Sequence, residues 1–161
     1  MSSVYQVRRL KKDDIPDIYL LCQGNPTYYE YLKQEPTHEN IGSAMTDLPP
    51  GMTMEDKYFV GFYDGGRLTA ILDLIAGYPG EDTAFIGWFM VRRDLQASGT
   101  GSAILTELLS YLKAEKFRYA RLGYIKGNRQ SEGFWTKNGF LPTGKEMPTD
   151  RYTAVVMQKE L

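Results

Sequence analysis

The segment richest in chemistry runs Val91-Arg92-Arg93-Asp94-Leu95-Gln96-Ala97-Ser98-Gly99-Thr100-Gly101-Ser102. An apolar run, Ala84 to Val91, leads into it, and a helix carrying Ile104, Leu105, Leu108, Leu109 and Leu112 leaves it. A helix N-terminus has unpaired backbone N–H groups and a partial positive charge. Glycines let a ligand approach that backbone, so the segment suits an anion, most often a phosphate. Taken alone, it reads equally well as a tight strand-to-helix turn. Two phosphate loops are excluded. A Walker loop ends Gly-Lys-Ser/Thr, and Gly101-Ser102-Ala103 has no lysine. A dinucleotide fingerprint needs a small residue where Ile104 stands.

A second segment, Asn128-x-x-Ser131-x-x-Phe134-Trp135-x-x-x-Gly139-Phe140, places a polar cap before a short aromatic helix that stops at glycine. By itself it reads as a capped amphipathic helix packing Phe134 and Phe140 into a core.

Periodicity supplies the elements that hold these segments. Val4 to Leu10 alternates weakly as a strand. Ile15, Ile18, Tyr19 and Cys22 mark one helix face, and Ile41, Ala44, Met45 and Leu48 mark another, over Thr37 to Leu48. Pro49-Pro50-Gly51 ends that second helix. Lys57 to Tyr63 and Arg67 to Ala76 form a hairpin around Asp64-Gly65-Gly66. Ala84 to Val91 reads as a strand buried on both faces. Tyr119 to Ile125, a helix over Arg129 to Asn138, a short strand after Phe140 and a strand over Tyr152 to Gln158 complete the chain. The expected fold is α/β (α+β). It is a single mixed, mostly antiparallel sheet of six or seven strands with helices on both faces, one domain over 1–161.

Composition agrees with one globular domain: 161 residues, 42% hydrophobic and 24% charged. A net charge of −1 argues against a general grip on nucleic acid. One Cys and one His argue against a disulfide framework and a His/Cys metal cage, so no metal is expected. The polar start, Met1 to Asp14, and the lack of a long apolar stretch lead to the expectation of a cytoplasmic protein without membrane association.

Together the two segments resemble the GNAT superfamily of N-acetyltransferases. Gln96-Ala97-Ser98-Gly99-Thr100-Gly101 fits its Gln/Arg-x-x-Gly-x-Gly/Ala motif. Asn128 to Phe140 fits its later Asn-x-x-Ala-x-x-Phe-Tyr-x-x-x-Gly-Phe motif, with Ser131 for Ala and Trp135 for Tyr. The element order agrees over nearly the whole chain. The resemblance implies acetyl-CoA as co-substrate and transfer of its acetyl group to a primary amine of a small molecule or peptide, by direct attack in a ternary complex. It implies that Phe89, Met90 and Val91 pair with the pantetheine arm. It further implies that the amides of Gln96, Ala97, Ser98, Gly99, Thr100, Gly101 and Ser102 hold the pyrophosphate, and that Asn128, Ser131 and Trp135 complete the cofactor site. A homodimer is left open.

The acid/base positions depart from the family. Phe85 and Gly123 stand where relatives carry Glu, and Trp135 replaces the Tyr acid. An indole does not titrate in the useful range. Asp73, in the apolar run Ile71-Leu72-Asp73-Leu74-Ile75, and Tyr124, near the cofactor end of its strand, are the replacement catalytic candidates. The same departure sustains an alternative, a catalytically weak acyl-CoA-binding sensor or regulatory module. On the acceptor side, Tyr28, Tyr29 and Tyr31, with Tyr78, Glu81 and Asp82, would suit an amine cation.

Overall fold

The computed structural model describes residues 4–161, so Met1–Ser3, the start of the polar stretch read above, lie outside it. The elements are β1 (Gln6–Arg9), α1 (Ile15–Gln23), α2 (Pro26–Leu32), α3 (His38–Ala44), β2 (Lys57–Asp64), β3 (Arg67–Ala76) and β4 (Thr83–Val91). They continue with α4 (Thr100–Ala114), β5 (Tyr119–Ile125), α5 (Arg129–Lys137), β6 (Leu141–Pro148) and β7 (Thr153–Glu160). The strands form one sheet in the order β1-β2-β3-β4-β5-β7-β6. β4 and β5 run parallel, and the other neighbours are antiparallel. No helix among the described residues is long and apolar enough to cross a membrane.

Helices cover both faces, as the apolar stripes require. The i, i+4 leucines of α4 pack with Leu72, Ala84, Ile86 and Leu122 on one face. Ile18, Leu21 and Cys22 of α1, with Ile41 of α3, pack on Phe59, Ile71 and Met90 on the other. The β2–β3 turn takes its two glycines at positive φ (58° at Gly65, 82° at Gly66), which side chains resist.

The structure differs from the sequence reading in five places. β1 is shorter, Gln6–Arg9. The helix expected over Thr37 to Leu48 keeps its cap, with Thr37 Oγ1 accepting from Asn40 N–H at 3.0 Å, but ends at Ala44. Thr46 and Asp47 both turn back to the Ser43 carbonyl there. The helix α2 was not expected: none of its residues is buried, so no apolar stripe betrays it. The strand after Phe140 has a full eight residues, all exposed, at the sheet edge. β4 is not buried on both faces. Gly87 is exposed, and Phe85, Trp88 and Phe89 are half-buried.

This last difference has a local cause. β3 pairs Asp73 with Trp88 and then Leu74 with Ile86, so Gly87 is an extra residue in β4. A bulge of this kind adds twist and interrupts pairing. The parallel pairing of β4 with β5 stops at Ile86 and Leu122. Beyond it β4 stays with β3 and β5 stays with β7, so the two strands part and leave a cleft between their C-terminal ends.

Candidate active site

The cleft has a volume of about 380 Å³. Phe89, Met90 and Val91 of β4 line it, with Gln96, Ala97, Gly99, Gly101 and Ser102 of the glycine segment. Asn128, Ser131 and Trp135 line it from α5. Most of the residues expected at the cofactor thus converge. Ser98 and Thr100 do not line it. Ser98 Oγ bonds the Leu95 carbonyl and lies 2.9 Å from Thr100 Oγ1, so the two hydroxyls tie down the loop.

The backbone around the cleft is rich in unspent donors. The first bond of α4 runs from Ala103 N–H to Gly99 O, which leaves the Thr100, Gly101 and Ser102 N–H groups without helical carbonyls. Gly99 makes the turn at φ 87°. On β4, Arg92 N–H donates to Thr69 O of β3 at 2.8 Å. Strand alternation then turns the peptide groups of Phe89 and Val91 away from β3, toward the side β5 has left. The Val91 carbonyl is taken by Gln96 Nε2 at 2.8 Å, so Phe89 N–H, Phe89 C=O and Val91 N–H face the cleft.

Side chains set its electrostatics and its floor. Arg93 and Lys137 stand exposed at the rim, and no acidic residue is among those lining the cleft. Phe89 stacks near Phe134 (6.1 Å, 28°), and buried Trp135 lies edge-on to Phe134 at 5.0 Å. Buried Asn128 caps α5, its Oδ1 accepting from Ser131 N–H at 3.2 Å.

Asn25, Thr27 and Tyr28 from the start of α2, with Gln130, Gly133 and Phe134, line the cleft without having been expected there as cofactor residues. Asn25 before Pro26 is a helix-start signal that marks α2, although α2 lacks a stripe. Burial pushes the Tyr28 phenol well above its ordinary range, so it stays protonated. A second cavity, about 460 Å³, opens between Glu30 and Tyr31 of α2, with Lys33 just past its end, and the β6–β7 turn, Thr149 to Tyr152.

The two catalytic candidates lie apart, and neither lines the cleft or the second cavity. Tyr124 packs on the α4/α5 core, with burial and then the Glu132 carboxylate raising its phenol. Asp73 is on the opposite face, in phase with Ile71. Lys57 Nζ donates to Asp73 Oδ2 at 3.0 Å and to the Asp47 carbonyl at 2.8 Å. Asp73 Oδ1 is buried without a hydrogen-bond partner. Burial raises the Asp73 carboxyl pKa, and the Lys57 charge opposes that rise. The Tyr78–Asp82 turn sits at the other end of β4 from the cleft. Tyr78 packs there on Phe85 at 5.5 Å, and Asp82 O accepts from Arg118 and Tyr119. Cys22 is fully buried, its thiol pushed up to about 11, so it is a core side chain.

A parted parallel pair beside a glycine-opened helix defines the class of fold. Over nearly its full length the chain superposes on solved acetyltransferases. An acetyltransferase of Thermus thermophilus is 17% identical, with a TM-score of 0.76 over 98% of this chain and 97% of that one. The ribosomal-protein-S18-alanine N-acetyltransferase of Escherichia coli is 18% identical (TM-score 0.70; 97% and 93% covered). The PaiA N-acetyltransferase of Thermoplasma acidophilum, in complex with coenzyme A, is 16% identical (TM-score 0.69; 100% of both chains). No curated protein matches the chain by sequence. The model of the acetyltransferase (GNAT) family matches residues 18–140. The chain belongs to this family and is an N-acetyltransferase, of a class that moves an acetyl group from an acyl-CoA to an amine.

Proposed function

We propose that the chain transfers the acetyl group of acetyl-CoA to a primary amine of a small molecule or peptide within a ternary complex. The observation that carries this reading is the set of free backbone groups along one cleft. Helix N–H groups of Thr100, Gly101 and Ser102 stand near its mouth, and those of Phe89 and Val91 lie along its wall. The donor set fits the cofactor: amides and two cations for a pyrophosphate, then a strand edge for an amide-bearing arm. When bound, acetyl-CoA supplies the activated acyl group.

The chain's own residues then have four tasks. The N–H groups of Phe89 and Val91 lie where an oxyanion could be stabilised, a contribution of about 10²–10³ in rate per donor. Positioning supplies a further part of the barrier reduction. The Tyr28 phenol, kept protonated by burial, lines the cleft and would be available as a hydrogen-bond donor to the thiolate that leaves. Asp73 is the proposed proton acceptor, through water. It lies at the bulge on the face of α1 and α3, with Oδ1 free and Oδ2 fixed by Lys57. The amine is proposed to enter on the side of the second cavity, which shares the α2 segment with the cleft: Thr27 and Tyr28 line the cleft, and Glu30 and Tyr31 line the second cavity.

Calorimetric titration with acetyl-CoA, followed by thiol release across an amine panel, tests this reading. Saturable binding with thiol release supports it, and absence of binding at millimolar cofactor ends it. One observation favours the second reading, a sensor module: no carboxylate or histidine is among the residues lining the cleft. Binding without thiol release on any amine would select that reading.

A further inference from the structure

The cleft reaches both faces of the sheet. Phe89, Phe134 and Trp135 pack with the core under α4, whereas Met90 and Tyr28 pack with the core under α1 and α3. On this second side Asn25 and Thr27 extend the wall, and none of these four residues is charged.

Deeper on the same face a row crosses the sheet. Phe59 of β2 stands opposite Asp73 of β3, and Asp73 stands opposite Trp88 of β4. Residues paired in this way share a face, and the Phe59 and Trp88 rings are 6.1 Å apart. Met90, two residues beyond Trp88, carries that face into the cleft. The carboxylate in the row is already engaged. Lys57 Nζ, buried and 5.7 Å from the centre of the Phe59 ring, donates to Asp73 Oδ2. The pair is neutral as a unit, so an incoming ammonium finds no unshared negative charge there. The second cavity adds none: Lys33 and Arg151 match Glu30 and Asp150, and Lys126 pairs with Glu146 at 3.0 Å. Burying an ammonium without a counter-charge is costly.

The proton balance points the same way. An alkylammonium, like that of lysine, has a pKa of about 10.4 and is neutral in roughly 1 molecule in 2,500 at pH 7. A carboxylate is too weak a base to strip it, and Asp73 shares its charge with Lys57. No carboxylate or histidine lines the cleft itself. An arylamine needs no such step, because its lone pair is delocalised into the ring and its nitrogen is uncharged at pH 7.

We infer that the acceptor is an uncharged arylamine, its ring lying against Met90 and Tyr28. The inference rests on the transfer reading proposed above and narrows its acceptor. Thioether and aromatic side chains suit such a ring. The lone pair of the neutral nitrogen forms the bond to the acetyl carbon. The carbon–sulfur bond breaks and its electron pair leaves on sulfur. The proton shed by nitrogen passes through water to Asp73 Oδ1, which has no hydrogen-bond partner among the described residues.

Thiol release from the full chain at saturating acetyl-CoA, with aniline and with benzylamine, tests the inference. At pH 7 kcat/KM is expected to be about tenfold or more higher for aniline. From pH 7 to 8 it stays level for aniline and climbs about tenfold for benzylamine, as the neutral alkylamine accumulates. Lys57→Met leaves the Asp73 charge unshared, and the aniline-to-benzylamine ratio is expected to fall about tenfold, a change that partial unfolding alone does not produce. Benzylamine turned over as fast as aniline at pH 7, or at a rate level from pH 7 to 8, overturns the inference and leaves the transfer reading standing. An unchanged ratio in folded Lys57→Met overturns it likewise. Failure of acetyl-CoA to bind by calorimetry removes the transfer reading and the inference with it.

Discussion

Gly87 and Asp73 meet where β4 leaves β5: a side-chain carbon on Gly87 would lie 3.1 Å from Asp73 Oδ2. The extra residue that parts the strands thus also makes room for a carboxylate on the face covered by α1 and α3. Behind it Lys57 is 1% exposed, a buried cation held by Asp73 and the Asp47 carbonyl.

Removing one member of that pair leaves the other charge buried and uncompensated. Lys57→Met and Asp73→Leu are each expected to cost about 3–5 kcal/mol, and the double variant less than either single one. Urea unfolding of the four proteins measures the cycle. Additive losses would show that the pair is not coupled.

If Asp73 takes the amine proton, kcat/KM rises with pH through a value above 3.8, because burial raises this carboxyl. Asp73→Asn is expected to remove that limb and about 10² in rate. The linked stability has the opposite sense. A folded pKa above the unfolded one makes its contribution full below 3.8 and lost as pH rises through the folded value. An unchanged pH profile in Asp73→Asn, on an accepted amine, excludes Asp73 as the base.

Acid stability is expected to depend on Asp14. Arg8 donates to both its oxygens, at 3.0 and 2.8 Å, and holds its carboxyl below 3.8. A lowered folded pKa gives stability that is present above 3.8 and lost as pH falls toward the folded value. Arg8→Gln should move the acid limb of a Tm-against-pH curve toward higher pH. Superimposable curves would show that the pair contributes nothing.

Gly101 has a packing role as well as its place in the glycine segment. A Cβ there would lie 3.1 Å from Phe134 Cε1 and 3.4 Å from Val91 Cγ2. In Gly101→Ala the gain in helix propensity, about 1 kcal/mol, offsets the crowding, so stability stays within about 1 kcal/mol. The displaced ring narrows the cleft, and the Kd for acetyl-CoA is expected to rise about tenfold, a change of ~1.4 kcal/mol. Calorimetry beside thermal melts separates the two effects.

What could be read in advance followed from local order. The leucines of α4 repeat at helical spacing and are buried where that spacing puts them. Gly99 and Gly101 announced an open helix start, and Asp64-Gly65-Gly66 announced a hairpin, because such conformations restrict residue type at fixed offsets. β6 left no such mark, and α2 left only Asn25-Pro26 at its start. Every residue of β6 is exposed and none of α2 is buried, so neither carries an apolar period. Ser98 and Thr100 belong to the motif by position, but their hydroxyls turn to the loop itself.

The amino-acid order alone determined the class of fold and the glycine-opened helix start, since both follow from residue types at fixed spacing along the chain. Tertiary structure alone decided that Gln96 bonds Asn25 across 71 residues, that Lys57 neutralises Asp73, and that Tyr28 joins the wall of the cleft. Those pairings depend on how far β4 and β5 part and on which helices settle over the gap. No periodicity encodes such distances, because they emerge when separate elements compete to bury the same surface.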